Sequence, residues 1–231
     1  MTSRLAAPLA AAAVLLLLST PSWAGKKEPR GRTWTFDFRA DTLGMAPSGA
    51  TVMGGTWVVL ADSTAGAAAG AGAGADSATS PPRVLRQSAN DEARAANWIR
   101  LAKPTIETGE ISVRFRILSG EIDPSIGVAF HLDAKGKNGY LVRLSGADDE
   151  IVAHYLLSGK RRDIKMQRLK NPPAGEWHTL GVRRERERIV VFYDGVETMA
   201  LRDERFIRGT VGLWTEDDTV AEFADLKITA R

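Results

Sequence analysis

Four residues in the second half of the chain have side chains suited to binding a hydroxyl-rich ligand: His131, Arg143, His154 and Trp214. Each lies in a segment where apolar residues take every second position, and successive side chains of a strand point to opposite faces of its sheet. The alternation predicts that all four point outward, while their apolar neighbours point into the core. A tryptophan ring stacks on the apolar face of a sugar, and arginine and histidine hydrogen-bond its hydroxyl groups. The four residues are therefore a candidate glycan-binding platform, and the arginine and the two histidines are also candidate catalytic groups near neutral pH.

A plainer interpretation of these residues fits the same pattern. Trp214 would cover the edge of the core and the histidines would be ordinary surface residues, because alternation fixes a face of the sheet but not a shared cleft. Four other tryptophans lie within strand patterns and are interpreted as core or core-edge anchors, namely Trp34, Trp57, Trp98 and Trp177.

The segments that position these residues are predicted to be strands from Trp34 onward. Ile111, Val113 and Phe115 alternate with polar residues, which gives one core face and one solvent face. Asp194-Gly195 separates two strand-like runs and favours a type I′ hairpin turn, since both central positions of that turn need positive φ. Short runs recur without an amphipathic helix or a fixed repeat, which is typical of a sandwich or barrel. The predicted strands cover 34–38, 56–60, 83–87, 97–101, 110–118, 126–132, 139–145, 151–157, 177–184, 188–193, 209–215 and 222–229.

One long segment interrupts this rhythm. Residues 63–82 consist almost entirely of Ala, Gly, Ser and Thr and end in Pro81-Pro82, with no large apolar side chain to bury. Repeated glycines disfavour a helix by about 1 kcal/mol each relative to alanine. We therefore predict a flexible insertion at 63–82.

The amino terminus has the pattern of an export signal. Arg4 precedes an apolar Ala/Leu stretch, and Ser22-Trp23-Ala24 offers small residues around a cleavable bond. The stretch is shorter than the roughly 20 residues that span a bilayer. The sequence thus predicts a signal peptide at 1–24, a basic leader at 25–33 and a periplasmic or secreted protein with no membrane span once the signal is removed.

Composition excludes several other classes of function. The chain has no cysteine, so it has neither a disulfide framework nor a lipid-anchoring cysteine. Its net charge is only +3, and positive and negative residues alternate in 183–188, whereas nucleic-acid-binding proteins gather one sign on one face. Nucleic acid is therefore not an expected partner, and no zinc spacing, phosphate loop or serine-nucleophile elbow is present in the sequence.

Six stretches carry a resemblance to a known group of proteins: 127–131, 139–143, 175–182, 189–195, 209–215 and 223–228. Together they resemble the concanavalin A-like lectin and glucanase superfamily, which includes laminin-G-like modules, family 16 glycoside hydrolases and 3-keto-disaccharide hydrolase domains. The resemblance implies an all-β fold, a two-sheet antiparallel jelly-roll sandwich formed by a single domain at 34–231. It also implies a sugar-binding concave face, where we place His131, Arg143, His154 and Trp214.

The same resemblance raises two further site hypotheses. Glu121-Ile122-Asp123 is similar to the start of the catalytic strand of family 16 glucanases, but the second glutamate is missing and Pro124 cannot donate in a central strand, so the tripeptide is predicted to end a loop. Asp37 and Asp225 lie in the first and last strands, which meet in related sandwiches and sometimes hold a structural calcium ion. Either no cofactor or one calcium ion is expected.

Three functions follow in order of preference. The first is an exported, non-catalytic module that recognises a glycan or cell-envelope polysaccharide, because no complete catalytic set is found. The second is a glycoside-processing enzyme of the 3-keto-disaccharide hydrolase type that uses His131, Arg143 and His154. The third is a structural scaffold, which applies if the 63–82 insertion blocks the concave face.

Overall fold

A computed structural model describes residues 31–64, 82–88, 96–170 and 172–231, and Gly31–Arg231 form one compact unit. The predicted signal peptide, most of the basic leader and residues 65–81 of the predicted insertion lie outside the described residues. The described residues form fifteen strands and no helix, hence no helix long and apolar enough to cross a membrane. The strands are β1 Thr33–Phe36, β2 Ala50–Val52, β3 Trp57–Ala61, β4 Arg83–Gln87, β5 Ala96–Leu101, β6 Gly109–Ser119, β7 Ser125–Leu132, β8 Gly139–Ser145, β9 Glu150–Leu157, β10 Lys160–Arg168, β11 His178–Glu185, β12 Arg188–Tyr193, β13 Val196–Arg202, β14 Thr210–Glu216 and β15 Val220–Ala230.

Two antiparallel sheets make up the fold. One sheet has eight strands in the order β13-β12-β11-β6-β15-β4-β3, with β1 also paired to β15, and the other has seven in the order β10-β9-β8-β7-β14-β5-β2. The predicted all-β, two-sheet architecture is confirmed. We call the outer surface of the seven-stranded sheet the front face and that of the eight-stranded sheet the back face.

The main core lies between the sheets and follows the predicted alternation. Phe115 of β6, Phe130 of β7 and Phe223 of β15 are fully buried in it. The Asp194-Gly195 hairpin between β12 and β13 is also confirmed, with φ of +48° and +78° at its two turn residues. A second, smaller apolar cluster covers part of the front face and consists of Ala129, Leu132, Leu141, Leu156 and Trp214, with Trp98 packed against it.

Strand β10 was not predicted, because its sequence, KRRDIKMQR, has no apolar alternation. It is the edge strand of the seven-stranded sheet, and nearly all of its residues are exposed. Charged side chains on an edge strand discourage pairing with another molecule. The high charge that prevented the prediction of β10 is therefore a normal property of an edge strand.

Candidate functional site

Three of the four predicted site residues meet on the front face. Trp214 on β14 pairs with Gly127 on β7, and Gly127 pairs with Arg143 on β8. Trp214, Gly127 and Arg143 therefore form one row across the sheet. His154 on β9 pairs with Leu141 of β8, two residues from Arg143 on the same face. Alternation thus assigned Arg143, His154 and Trp214 to the correct face.

The predicted exposure of these three residues is wrong. Trp214 is 0% exposed, His154 3% and Arg143 6%. Apolar residues of β8 and β9 on the same face, among them Leu141 and Leu156, close around the tryptophan. Its ring fills the space above Gly127, where an added Cβ would lie only 3.2 Å from Trp214 Cε3. Trp214 therefore lies beneath the surface of the front face, and its ring is not accessible to a ligand.

His131 is on the wrong side of the sheet for the predicted platform. Strand β7 bulges against β14, because Ala129 pairs with Gly212 while Leu132, three residues on, pairs with Thr210. His131 itself has φ of +52°. An extra residue in a strand interrupts the alternation of faces. Leu132, predicted for the core, consequently joins the front-face cluster.

The imidazole of His131 is held between the sheets instead. Its ring lies 5.4 Å from the ring of Phe130, and its Nδ1 donates to the carbonyl oxygen of Phe206 at 2.8 Å. The residue is 2% exposed, and burial lowers the pKa of His131 below its usual value, with Arg184 adding to this effect and the Phe206 carbonyl opposing it. His131 and His154 lie on opposite sides of the sheet, so the predicted catalytic set of His131, Arg143 and His154 does not share a cleft.

Arg143 is the centre of a chain of ion pairs on the front face, which we call the Arg143 cluster. Its guanidinium contacts the carboxylate of Asp123 and lies 3.0 Å from Oε2 of Glu216. The other oxygen of Glu216 accepts from Nη2 of Arg161 at 2.8 Å. Charged groups taken out of water must be paired, and each carboxylate here has an arginine. The cluster comprises Asp123, Arg143, Arg161 and Glu216.

Arg161 also connects this charge network to the aromatic residues. Its guanidinium carbon lies 5.4 Å from the ring centroid of Trp214, within the range of a cation–π contact. About a third of the Arg161 side chain is exposed. Arg161 is therefore the member of the cluster that can reach a ligand directly.

His154 lies beside the cluster and is neutral at neutral pH. Its Nδ1 donates to Oδ1 of Asp163 at 2.8 Å. Burial, followed by the positive charge of Arg161, lowers the pKa of His154 to about 4, although Asp163 acts in the opposite direction. A neutral imidazole with a proton on Nδ1 leaves Nε2 as an acceptor, and within the described residues Nε2 makes no hydrogen bond.

The aromatic surface that remains accessible on this face belongs to Trp98. This residue of β5 pairs with Trp214, the two rings meet edge to face at 6.1 Å, and Trp98 is only partly buried. Interpreting Trp98 as a core-edge anchor was correct for its packing but missed its position beside Trp214, the ring that Arg161 contacts. The front face thus combines one accessible indole ring with the charged groups of the Arg143 cluster.

Glu121-Ile122-Asp123 ends a loop before β7, as predicted. The backbone N–H groups of Glu121 and Ile122 donate to the Asp218 carboxylate at 2.6 and 3.2 Å. Asp123 holds Arg143, a role that the motif did not suggest. The tripeptide thus braces the loop and positions one arginine of the face.

The two acids proposed for calcium are each committed to an arginine. Asp225 accepts from Arg114 at 2.9 Å, and Asp37 accepts from the backbone N–H of Arg39 at 3.1 Å and lies 3.8 Å from its Nε. Calcium takes six to eight oxygen ligands, whereas nowhere in the described residues do three acids or histidines gather in a metal-binding arrangement. The described residues thus add no third acid to Asp37 and Asp225, and a calcium ion there stays a prediction.

Two members of the face had usable signals in the sequence. Glu216 follows Trp214 by two positions and therefore shares its face. Trp98 lies two positions before the charged Arg100 in a short predicted strand, which indicates that the Trp98 side chain also points outward. Arg161 had no such signal, because β10 lacks apolar alternation.

Comparison with known proteins adds evidence on the fold. No protein-family model matches the chain, and no curated protein matches it significantly in sequence. Among solved structures, the carbohydrate-binding module CBM66 from Bacillus subtilis has a TM-score of 0.60 at 17% identity and covers 80% of this chain and 96% of its own. The exoplasmic/lumenal domain of VIP36 in its Ca²⁺/Man3GlcNAc-bound form has a TM-score of 0.52 at 14% identity and covers 64% and 78%, and its metal-free form has a TM-score of 0.51 at 14% identity, covering 64% and 80%. This chain has the β-sandwich fold that these domains share.

Proposed function

We propose that the protein is a non-catalytic carbohydrate-binding module whose ligand lies on the front face. The observation that carries the proposal is the half-buried Trp98, whose ring packs edge to face against the buried Trp214, and it is the Trp214 ring that Arg161 contacts in turn. A rigid indole presents a large apolar surface with little loss of side-chain freedom. Arg161 and Asp163 border the same surface with exposed donor and acceptor groups.

Preorganisation supports this assignment. The Arg143 cluster fixes Arg161 through Glu216, and Asp163 is fixed through His154. A binding group that is already held in place loses less entropy when the ligand arrives. The buried layer therefore serves as a support for the few groups that touch the sugar.

The chemistry of the face favours binding over hydrolysis. Retaining glycosidases need two carboxyl groups about 5 to 5.5 Å apart, one of them available as an acid. Asp123 and Glu216 are instead both engaged by arginines, and His154 is neutral and buried. We place the ligand among glycans or cell-envelope polysaccharides and the protein in the periplasm or outside the cell, on the basis of the amino-terminal signal pattern.

Two solved structures of similar fold support carbohydrate as the class of ligand. One is by its name a carbohydrate-binding module, and the other was solved with Man3GlcNAc bound. Neither likeness extends to side chains at this level of identity. The assignment of the face to a sugar therefore depends on Trp98 and its surroundings.

The test is binding of the full chain to an array of plant, fungal and bacterial polysaccharides, followed by affinity electrophoresis with those retained. Trp98→Ala is expected to raise the dissociation constant about tenfold or more, because it removes the stacking ring. Trp177→Ala is the matched control, since Trp177 is a half-buried tryptophan on the back face, with Arg114 and Arg116 each 4.7 Å from its ring. Equal loss of binding in both variants, or no retention on any polysaccharide, would contradict the proposal.

A further inference from the structure

A separate groove lies on the back face, on the opposite side of the sandwich from the front-face residues. Its floor is Gly181 of β11, which pairs with Ser112 of β6 on one side and with Phe192 of β12 on the other. Thr179 and Arg183 lie two positions before and after the glycine on the same face. The groove has a volume of about 250 Å³, and we call it the Gly181 groove.

The glycine keeps this groove open. A Cβ built at position 181 would lie 3.4 Å from Cβ of Phe192 and 3.7 Å from the Ile111 carbonyl oxygen, which are ordinary contacts. No close packing and no positive φ therefore requires a glycine here. Glycine within a strand weakens it and often marks a close approach by a ligand or another backbone.

The walls of the groove combine the groups that recognise a sugar. Phe192 provides an apolar wall, with the Arg183 guanidinium carbon 4.8 Å from its ring centroid. Arg183 Nε and Arg231 Nη2 both donate to Oε1 of Glu110, at 2.7 and 3.0 Å. Among the described residues no hydrogen bond reaches Oε2 of Glu110, so Oε2 can accept from a ligand hydroxyl. The hydroxyl groups of Ser112 and Thr179 serve as both donors and acceptors.

The size and charge of the groove narrow the ligand class. Pockets for drug-sized ligands are about 300 to 1,000 Å³, and this groove is smaller than that range. Glu110 pairs with both Arg183 and Arg231, and Arg183 also lies 4.0 Å from Glu185. Two arginines are thus balanced by two glutamates, so neither sign of charge is favoured. We infer that the Gly181 groove binds one neutral sugar ring and is a second glycan site, independent of the front face.

The experiment is a site-resolved NMR titration of the full chain with D-glucose, D-mannose, D-galactose, D-fructose and N-acetyl-D-glucosamine, each added separately. At least one sugar is expected to give saturable shifts in the amides of Ser112, Gly181 and Phe192. Gly181→Val fills the floor with a residue that suits a strand and is expected to abolish those shifts. Ser112→Ala, which only deletes a hydroxyl, is expected to weaken binding at least threefold and serves as a second variant if Gly181→Val does not fold.

Trp98→Ala separates this inference from the proposed function, because it alters the front face only. Retention of the Gly181 shifts in Trp98→Ala supports an independent site. Shifts confined to the front face would overturn the second site while supporting the proposed function. Shifts confined to the groove would support the second site and count against the front face. Absence of saturable shifts at Gly181 with all five sugars, or their persistence in Gly181→Val, would overturn the inference.

Discussion

Gly127 and Gly181 occupy similar places near the middle of the two outer faces, but their surroundings differ. Above Gly127 the space is filled: an added Cβ would lie 2.7 Å from Leu141 Cδ1 and 2.9 Å from the Val142 carbonyl oxygen. Above Gly181 the space is open, with 3.4 Å to the nearest atom. A missing side chain therefore lets a neighbouring tryptophan pack onto the sheet on the front face and leaves a groove on the back face.

The ion pairs of the two regions differ in the same way. The Arg143 and Asp123 side chains are 8% and 19% exposed, whereas those of Arg183 and Glu110 are 36% and 38% exposed. Burial makes the loss of one partner costly, because the remaining charge has no water to replace it. The front face is thus a supported platform, and the back-face groove is a solvated depression.

The largest expected effect comes from breaking the front-face network. Arg143→Met leaves Asp123 and Glu216 without their shared arginine and is expected to lower the free energy of unfolding by about 3 kcal/mol. Arg183→Met, the matched change in the groove, is expected to cost less than about 1 kcal/mol, because its ion pair is solvated. Urea unfolding of both variants measures the difference, and equal costs would remove the proposed distinction between the two regions.

The glycines themselves provide the next comparison. Gly127→Ala is expected to destabilise the protein by about 2 kcal/mol, because the new methyl group overlaps Leu141 and the Val142 carbonyl. Gly181→Ala is expected to change stability by less than about 1 kcal/mol and in the stabilising direction, since alanine is favoured over glycine in a strand. Thermal and urea unfolding check both values, and a destabilised Gly181→Ala would mean that the groove is packed more tightly than described.

The smallest effect is a pH dependence that originates in His154 of the front face. Burial lowers the pKa of His154 from 6.5 to about 4, so the unfolded chain binds a proton at a higher pH than the folded protein does. The stability linked to His154 is complete above pH 6.5 and is lost as the pH falls towards 4. Between pH 8 and 5.5 the expected loss is about 1.4 kcal/mol.

His154→Asn isolates this contribution from those of other titrating groups. Asparagine keeps a donor near Nδ1 but cannot take up the proton, so the variant should lose less stability over the same pH interval than the wild type. His131 has a lowered pKa in the same direction, and its contribution remains in both proteins. Identical pH profiles would show that His154 is not the buried neutral group described above.

Much of the fold was predictable from alternation, and the errors have specific causes. The bounds of β4, β8 and β12 match the predicted runs, because their apolar residues face a single core. The predicted face of His131 was wrong because the bulge between β7 and β14 arises from the pairing of two strands that are distant in sequence. Such a bulge leaves no signal in the local sequence pattern. Trp214 was assigned to the right face but not to the right environment, since the residues that bury it come from four other strands, β5, β7, β8 and β9.

The most direct test of the account is a crystal structure of the full chain with the oligosaccharide retained most strongly in the binding assay. We predict a sugar ring stacked on Trp98 of the front face, with at least one hydroxyl group hydrogen-bonded to Arg161 and with the Trp214 ring still buried beneath. A ligand seated only away from Trp98 and Arg161 would contradict the central claim that the front face is a supported glycan-binding platform.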